Sequence, residues 1–187
     1  MVLRTFVALE LPEATQAAIA DYVQPLSRLP GHVSWVKTQN LHLTLKFLGD
    51  TQERQINAIT GALREVAREV PPFAATVTGS GVFPNERRPR VLWIGLEENS
   101  GRLPQLAKNV DQRLHELGFA KENRAFSAHL TVGRVRDGEL ERILSRMREQ
   151  PFTPQPVQFD EITLMRSELH PGGSIYTPIC KITLGNS

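Results

Sequence analysis

The chain has 187 residues, of which 40% are hydrophobic, and a formal net charge of +2. This length is enough to bury one good core, so we expect a single globular domain, and the small charge excludes a protein that coats DNA electrostatically. Arginine supplies 17 of the 22 basic residues, and its planar donors suit a local phosphate site better than a broadly basic surface.

Cysteine usage and hydropathy restrict the compartment. The single cysteine, Cys180, excludes an internal disulfide and a thiol-based metal cluster. No apolar run approaches the ~20 residues of a membrane-spanning helix, and the first residues lack the pattern of a signal peptide. We therefore expect a soluble, cytoplasmic monomer with no membrane partner.

The elements follow from hydrophobic spacing and from breaks at proline and glycine. The first half predicts, in order, a strand over 4–9, a helix over 12–29, a strand over 33–36, a strand over 41–48 and a helix over 52–70. The second half predicts strands over 73–79 and 90–96, a helix over 102–117, a strand over 126–135, a helix over 139–148, and strands over 159–166 and 175–184. A basic, turn-rich loop over 81–89 joins the first two strands of that half.

One short motif occurs twice. His-Leu-Thr-Leu begins at His42, and His-Leu-Thr-Val begins at His129, 87 positions later. Successive strand residues point to opposite faces, so His42 and Thr44 share one face, as do His129 and Thr131. A single His-x-Thr is typical of any half-exposed strand. Two that face each other across a groove would bring two imidazoles and two hydroxyls together, as acid and base catalysis on a phosphate requires.

The same alternation makes a prediction for the two residues that follow the first motif. It places Lys46 on the face of His42 and Thr44, where its ammonium could contact phosphate or RNA. It places Phe47 on the opposite face. We therefore expect Phe47 in the core and not against a nucleotide base.

The repeat extends beyond the motifs. Each motif strand is followed by a helix, a proline break, a strand that begins near a phenylalanine, a loop and another strand, and the repeat closes through the start of the chain. We expect an α+β fold of two lobes related by a pseudo-twofold axis, in which two largely antiparallel sheets face a central cleft and helices lie outside. The domain 1–187 should divide into a lobe of roughly 1–70 plus 157–187, apart from exchanged helices, and a middle lobe of roughly 72–150.

Nearly the whole chain resembles the two-histidine phosphoesterases, and within them the RNA 2′,3′-cyclic phosphodiesterases, also known as 2′-5′ RNA ligases. The resemblance rests on the two His-x-Thr motifs with their flanks, and on residues 6–12, 81–84, 89–93, 164–169 and Tyr176. Ala128 stands where this family commonly has proline. That difference affects only the entry to a strand.

The resemblance implies opening of a terminal 2′,3′-cyclic phosphate to leave a 2′-phosphate, and in some members reversible joining of RNA ends. It assigns the role of proton donor to His42 and that of proton acceptor to His129, which the residues alone do not. Two imidazoles can supply acid and base at neutral pH, so no metal and no cofactor is required. Thr44 and Thr131 can donate to phosphate oxygens, and Arg134 can offset developing charge if it points inward.

Other residues leave alternatives open. Arg87, Arg88 and Arg90 form either a solvated loop or a patch that tracks an RNA backbone, and Phe126 either packs or stacks on a base. The two motif histidines lack a third ligand for zinc. Besides an RNA-end phosphodiesterase, the chain is compatible with a 2′-5′ oligonucleotide or small cyclic nucleotide phosphodiesterase, or with a non-catalytic nucleotide-binding module. A pure binder needs no second imidazole, which favours an enzyme.

Overall fold

The computed structural model describes residues 1–185 of the chain. These residues form nine strands: β1 (Val2–Glu10), β2 (His32–Trp35), β3 (His42–Gln52), β4 (Phe73–Phe83), β5 (Val91–Glu97), β6 (His129–Asp137), β7 (Gln155–Phe159), β8 (Glu161–Glu168) and β9 (Ile175–Thr183). They also form four α-helices: α1 (Glu13–Ser27), α2 (Ile56–Glu69), α3 (Arg102–Glu116) and α4 (Glu141–Glu149).

The strands form two sheets. The first has the order β3-β1-β8-β9 and the second has the order β2-β6-β5-β4-β7. Every neighbouring pair is antiparallel. The predicted α+β architecture with two antiparallel sheets is therefore confirmed.

Apolar residues at helical spacing fasten the helices to the sheets. The apolar positions of α2 and α3 are fully or almost fully buried, and they are Ile59, Leu63, Val66, Leu103, Leu106, Val110 and Leu114. Removal of one such side chain from water contributes roughly 1.5–3 kcal/mol, so tertiary packing accounts for most of the stability of these helices. Both helices contact strands of the first sheet, since α2 touches β8 and β9 while α3 touches β3.

Two helices pack on the sheet that their preceding strand does not belong to. α3 follows β5 of the second sheet, yet it contacts β3 of the first. α1 follows β1 of the first sheet, yet Tyr22 on α1 donates a 3.3 Å hydrogen bond to Ser80 on β4 of the second, and the Tyr22 ring packs edge-on against Phe152. These crossings interlock the lobes.

The two sheets are built alike. The strands that carry the His-x-Thr motifs, β3 and β6, occupy equivalent positions. Each pairs with the first strand of its half of the chain, which is β1 in the first sheet and β5 in the second, and that strand pairs in turn with β8 or β4. The third strand of each set comes from the other half of the chain. A duplicated fold with pseudo-twofold symmetry follows from this correspondence.

Two strands lie in the lobe that the sequence did not predict for them. β2 was expected in the lobe of 1–70, but it pairs with β6 in the second sheet. The strand predicted over 159–166 corresponds to β8, which lies in the first sheet as expected, but the preceding strand β7 pairs with β4 in the second sheet although residues from 157 onward were expected in the other lobe. Pro156 lies in β7, and an edge strand tolerates proline because one of its sides makes no ladder hydrogen bonds.

Candidate active site

Each motif histidine is the first residue of its strand, and its ring is oriented by the residue two positions earlier. Nδ1 of His42 lies 2.7 Å from the carbonyl oxygen of Asn40, and Nδ1 of His129 lies 2.8 Å from that of Ser127. A carbonyl can only accept, so both Nδ1 atoms carry a proton and donate it. In both rings Nε2 is thereby left as the atom that can give or take a proton.

The two histidine strands lie close together although they belong to different sheets. Cα atoms of β3 and β6 come within 8 Å of each other. Thr44 Oγ1 lies 3.0 Å from Nε2 of His42, so the hydroxyl and the imidazole share the cleft face as predicted. Thr131 shares a face with His129 in the same way, because the two are separated by one residue of β6.

A β-bulge in β3 changes the face of the residues that follow Thr44. Ala8 is opposite Thr44 and Val7 is opposite Lys46, so Leu45 is the additional residue. The prediction that Lys46 shares the face of His42 is therefore wrong. Lys46 is only 6% exposed, and Nζ donates to Oδ1 of Asp111 at 2.5 Å and to the carbonyl of Ala120 at 2.6 Å.

The same bulge exposes Phe47, which was predicted in the core. Phe47 is 64% exposed, and its register places it opposite Phe6 on the cleft face. The Phe47 and Phe6 ring centroids are 5.8 Å apart, and Phe6 lies 4.8 Å from the His42 ring. Alternation failed here because one additional strand residue reverses every side chain beyond it.

A matching bulge in β6 directs Arg134 into the cleft. Trp93 is opposite Thr131, Leu92 is opposite Gly133 and Val91 is opposite Arg134, so Val132 is the additional residue. Trp93 and Val91 point to one face of β5, which places Arg134 on the face of Thr131. Arg134 and Phe47 each follow their histidine by five residues and occupy equivalent positions in the two lobes.

Electrostatics support the inward direction of Arg134. Burial lowers the pKa of His42 below its ordinary value, the hydrogen bond to the Asn40 carbonyl and the Glu10 carboxylate act to raise it, and Arg134 acts to lower it further. Arg134 is on the other sheet from His42. Its effect on that ring agrees with the register of β6, which places Arg134 on the cleft face.

Aromatic rings contact both imidazoles, and no sequence pattern predicted a role for these rings. Tyr176 meets His42 edge-on at a centroid distance of 5.2 Å, and Phe83 meets His129 edge-on at 5.0 Å. Both aromatic residues occur in the segments that carry the family resemblance. A specific role in the site was not visible, because their strands are distant from the motifs in sequence.

The arginine loop begins where β4 ends, directly after Phe83. Arg87, Arg88 and Arg90 are all exposed, and the side chain of Asn85 accepts hydrogen bonds from the backbone N–H groups of Arg87 and Arg88. Because Phe83 touches His129, this loop lies at the rim of the cleft on the His129 side.

Phe126 packs against the hydrophobic core, in agreement with the packing alternative. β6 begins at His129 and not at 126 as predicted. Within residues 1–185, no three His, Cys, Asp or Glu side chains are grouped in a way that could hold a metal ion. None of the helices in this range has both the length and the apolarity needed to span a bilayer.

Comparison with known proteins agrees with the duplicated site. The model of the LigT-like phosphoesterase family matches the chain twice, at residues 9–93 and 94–176, with one His-x-Thr motif in each match. The chain belongs to the LigT-like phosphoesterase family. The two matches correspond to the two halves that the interlocked sheets combine.

Relatives of this LigT-like phosphoesterase cover almost its whole length. The RNA 2′,3′-cyclic phosphodiesterase of Methanothermobacter thermautotrophicus is 35% identical over 95% of this chain and 96% of its own, and that of Archaeoglobus fulgidus is 37% identical over 93% and 96%. Among solved structures, TT0787 of Thermus thermophilus has a TM-score of 0.82 at 29% identity, covering 98% of both chains. LigT of E. coli in complex with 3′-AMP has a TM-score of 0.80 at 26% identity, covering 100% of both.

Proposed function

We propose that this LigT-like phosphoesterase hydrolyses the terminal 2′,3′-cyclic phosphate of RNA to a 2′-phosphate. The observation that carries the proposal is the matched orientation of the two imidazoles, each with its Nδ1–H donated to a backbone carbonyl, which leaves Nε2 as the nitrogen for proton transfer. The names of the relatives support the same reaction. The activity requires no cofactor, because both proton transfers are within reach of imidazole at neutral pH.

The reaction is a displacement at phosphorus with two proton transfers. Water attacks the cyclic phosphate while Nε2 of His129 takes its proton, and the P–O3′ bond breaks as Nε2–H of His42 protonates the departing 3′ oxygen. The product carries a 2′-phosphate and a free 3′-hydroxyl. Exchange of one proton between the histidines and solvent restores the starting state.

Three side chains would hold the phosphoryl group. Thr44 and Thr131 can donate hydrogen bonds to nonbridging oxygens from opposite sheets, and the Arg134 guanidinium can compensate the charge that develops on them. In the free protein the Thr44 hydroxyl is 3.0 Å from Nε2 of His42. A phosphate in the cleft would compete for both groups.

Phe47 and the arginine loop would bind the nucleotide portion of the substrate. The exposed Phe47 ring, which lies beside the Phe6 ring that contacts His42, is suited to stacking with a base, and such stacking tolerates every base. Arg87, Arg88 and Arg90 could follow the phosphates of a longer RNA. Lys46 has no part in binding here, because its ammonium is buried on Asp111.

We further propose that the protein works as a cytoplasmic monomer, since one chain contains both catalytic histidines. An RNA oligonucleotide ending in a 2′,3′-cyclic phosphate, incubated with the enzyme in EDTA, tests the activity directly. We expect turnover to a 2′-phosphomonoester. A 3′-phosphate product would reverse the assignment of donor and acceptor. Turnover confined to 2′-5′ oligonucleotides or to small cyclic nucleotides would replace the RNA-end substrate with that class.

A further inference from the structure

The two catalytic histidines differ in the residue that lies directly opposite on the neighbouring strand. Glu10 on β1 is opposite His42, and Gly95 on β5 is opposite His129. Opposite residues of an antiparallel pair point to the same face, with Cβ atoms roughly 4.5–5.5 Å apart. A carboxylate therefore lies on the cleft face beside one imidazole, and a hydrogen atom takes its place beside the other.

Packing fixes this difference. A Cβ atom added to Gly95 would lie 2.7 Å from the carbonyl oxygen of Thr78 and 3.4 Å from the ring of Trp93. No side chain fits there without displacing backbone of β4. The second lobe thus has no room for a counterpart of Glu10.

Contacts with two further strands hold the Glu10 carboxylate in place. Oε2 accepts a 2.8 Å hydrogen bond from the buried hydroxyl of Thr163 on β8, and it forms a 2.8 Å ion pair with Lys181 on β9. Lys181 also contacts Glu161 at 3.2 Å. Two carboxylates share one ammonium, so the network keeps a negative charge next to His42.

We propose that Glu10 is a positioning residue that keeps a proton on His42 until it is delivered to the departing 3′ oxygen. The inference rests on the proposed function, in which His42 is the acid and His129 the base. An acid must enter the reaction protonated, whereas a base must enter it neutral. A carboxylate beside His42 and a glycine beside His129 match those opposite requirements.

His42 needs this support because burial and the Arg134 charge both favour loss of its proton. Burial lowers its pKa, and so does Arg134 on β6. The charged or titratable groups around it are Glu10 from β1, Tyr176 from β9 and Arg134 from β6, with the His129 imidazole on the other wall of the cleft. Of these, Glu10 is the carboxylate, and with the Asn40 carbonyl it opposes the effect of burial.

The first experiment measures protonation without any turnover. NMR titration of the His42 imidazole in the free protein should show that Glu10→Gln lowers its pKa. Glu161→Gln is the matched control: it removes the same charge from the same lysine but is not opposite His42, so the His42 titration should stay as in the wild type. An unchanged His42 titration in folded Glu10→Gln would overturn the proposal.

A second variant predicts a change of opposite sign. Lys181→Met removes the cation that partly neutralises Glu10, so the pKa of His42 should rise. This variant also keeps the proposal testable if Glu10→Gln fails to fold. A fall in the His42 pKa in Lys181→Met would show that the network does not act through the charge of Glu10.

Kinetics then connect the carboxylate to the reaction. In Glu10→Gln the alkaline limb of kcat should move to lower pH, so the rate lost at pH 8 should exceed the loss at pH 6 about threefold to tenfold. Equal losses at both pH values would indicate a merely structural role. If the protein did not turn over RNA cyclic phosphates at all, the NMR titrations would still report on Glu10, so the two failures are distinguishable.

Discussion

The two motif strands share a backbone plan and differ in the side chains that it presents. β3 and β6 each begin with a histidine, continue with a threonine on the same face, and contain a bulge one residue later. The fifth residue after the histidine is Phe47 in one lobe and Arg134 in the other. Symmetry of the backbone thus places two imidazoles around one cleft, and the side chains next to the imidazoles differ between its two walls.

The residue of each bulge that points to the core, away from the cleft, also differs between the two lobes. Lys46 occupies this position in β3, where Asp111 and Ala120 bind its ammonium. Gly133 occupies it in β6, and a Cβ there would lie 2.7 Å from a methyl group of Val33 on β2. The additional strand β2 fills the space in the second lobe that a lysine fills in the first.

The largest expected effect distinguishes the two histidines. His42→Ala and His129→Ala should each lower turnover of the RNA cyclic phosphate roughly a hundredfold to ten-thousandfold, because each removes one proton transfer. A substrate with sulfur in place of the 3′ oxygen has a leaving group that scarcely needs a proton. On it, the loss in His42→Ala should shrink greatly, and the loss in His129→Ala should remain. Rescue of His129→Ala instead would exchange the two roles.

The threonines test whether the two walls bind phosphate equally. Thr44→Val and Thr131→Val each remove a hydroxyl at nearly constant volume, and kcat should fall on the order of a hundredfold where charge develops in the transition state. Circular dichroism should confirm that the fold is unchanged. Full activity in both variants would make the threonines ordinary strand residues.

The buried ion pair tests the contrast between Lys46 and Gly133. Lys46→Met should lower the free energy of unfolding by about 3 kcal/mol, because it leaves Asp111 without its cation. Urea denaturation measures this, and Asp111→Leu added to Lys46→Met should recover part of the loss. Arg113→Met, which breaks exposed ion pairs with Glu65 and Glu69, should cost less than about 1 kcal/mol.

The same pair has a defined pH dependence. Partial burial acts to raise the pKa of Asp111, but the hydrogen bonds from Lys46 and from the Glu122 N–H outweigh it and hold the pKa below its ordinary value. The stabilisation is therefore present at neutral pH and is lost as the pH falls through the folded-state pKa. The difference in the free energy of unfolding between wild type and Lys46→Met should therefore become smaller in acid. A difference that became larger in acid would contradict this account.

Substitutions at Phe47 and Arg134 should distinguish the binding of the base from the binding of the phosphate. Phe47→Ala should raise KM for adenosine 2′,3′-cyclic phosphate roughly tenfold, since a stacked base contributes about 1–3 kcal/mol, and should leave ribose 2′,3′-cyclic phosphate without a base unaffected. Phe47→Tyr is the control that keeps the ring. Arg134→Ala should impair both substrates alike. Equal effects of Phe47→Ala on both would exclude stacking.

The smallest effect concerns the arginine loop. Alanine at Arg87, Arg88 and Arg90 together should weaken binding of a longer RNA and flatten its salt dependence, with little change for a cyclic mononucleotide. A control variant removes the same charge from exposed helix positions, at Arg64, Arg68 and Arg142. If the control weakened RNA binding equally, net charge and not the loop would be responsible.

The sequence alone was sufficient to predict those features that depend only on residues close together in the chain. The His-x-Thr spacing predicted which face each pair occupies, and apolar periodicity predicted α2 and α3 to within a few residues. The duplication was visible because both halves contain the same order of elements. Those predictions needed only the periods of 2.0 and 3.6 residues that strands and helices impose.

Tertiary structure decided what depends on a partner strand. A bulge exists only relative to the strand opposite it, so the inversion of Lys46 and Phe47 and the inward direction of Arg134 could not be read from β3 or β6 alone. Strand order placed β2 and β7 in the second sheet. It also set Glu10 opposite His42 and Gly95 opposite His129, because cross-strand register joins residues distant in the chain.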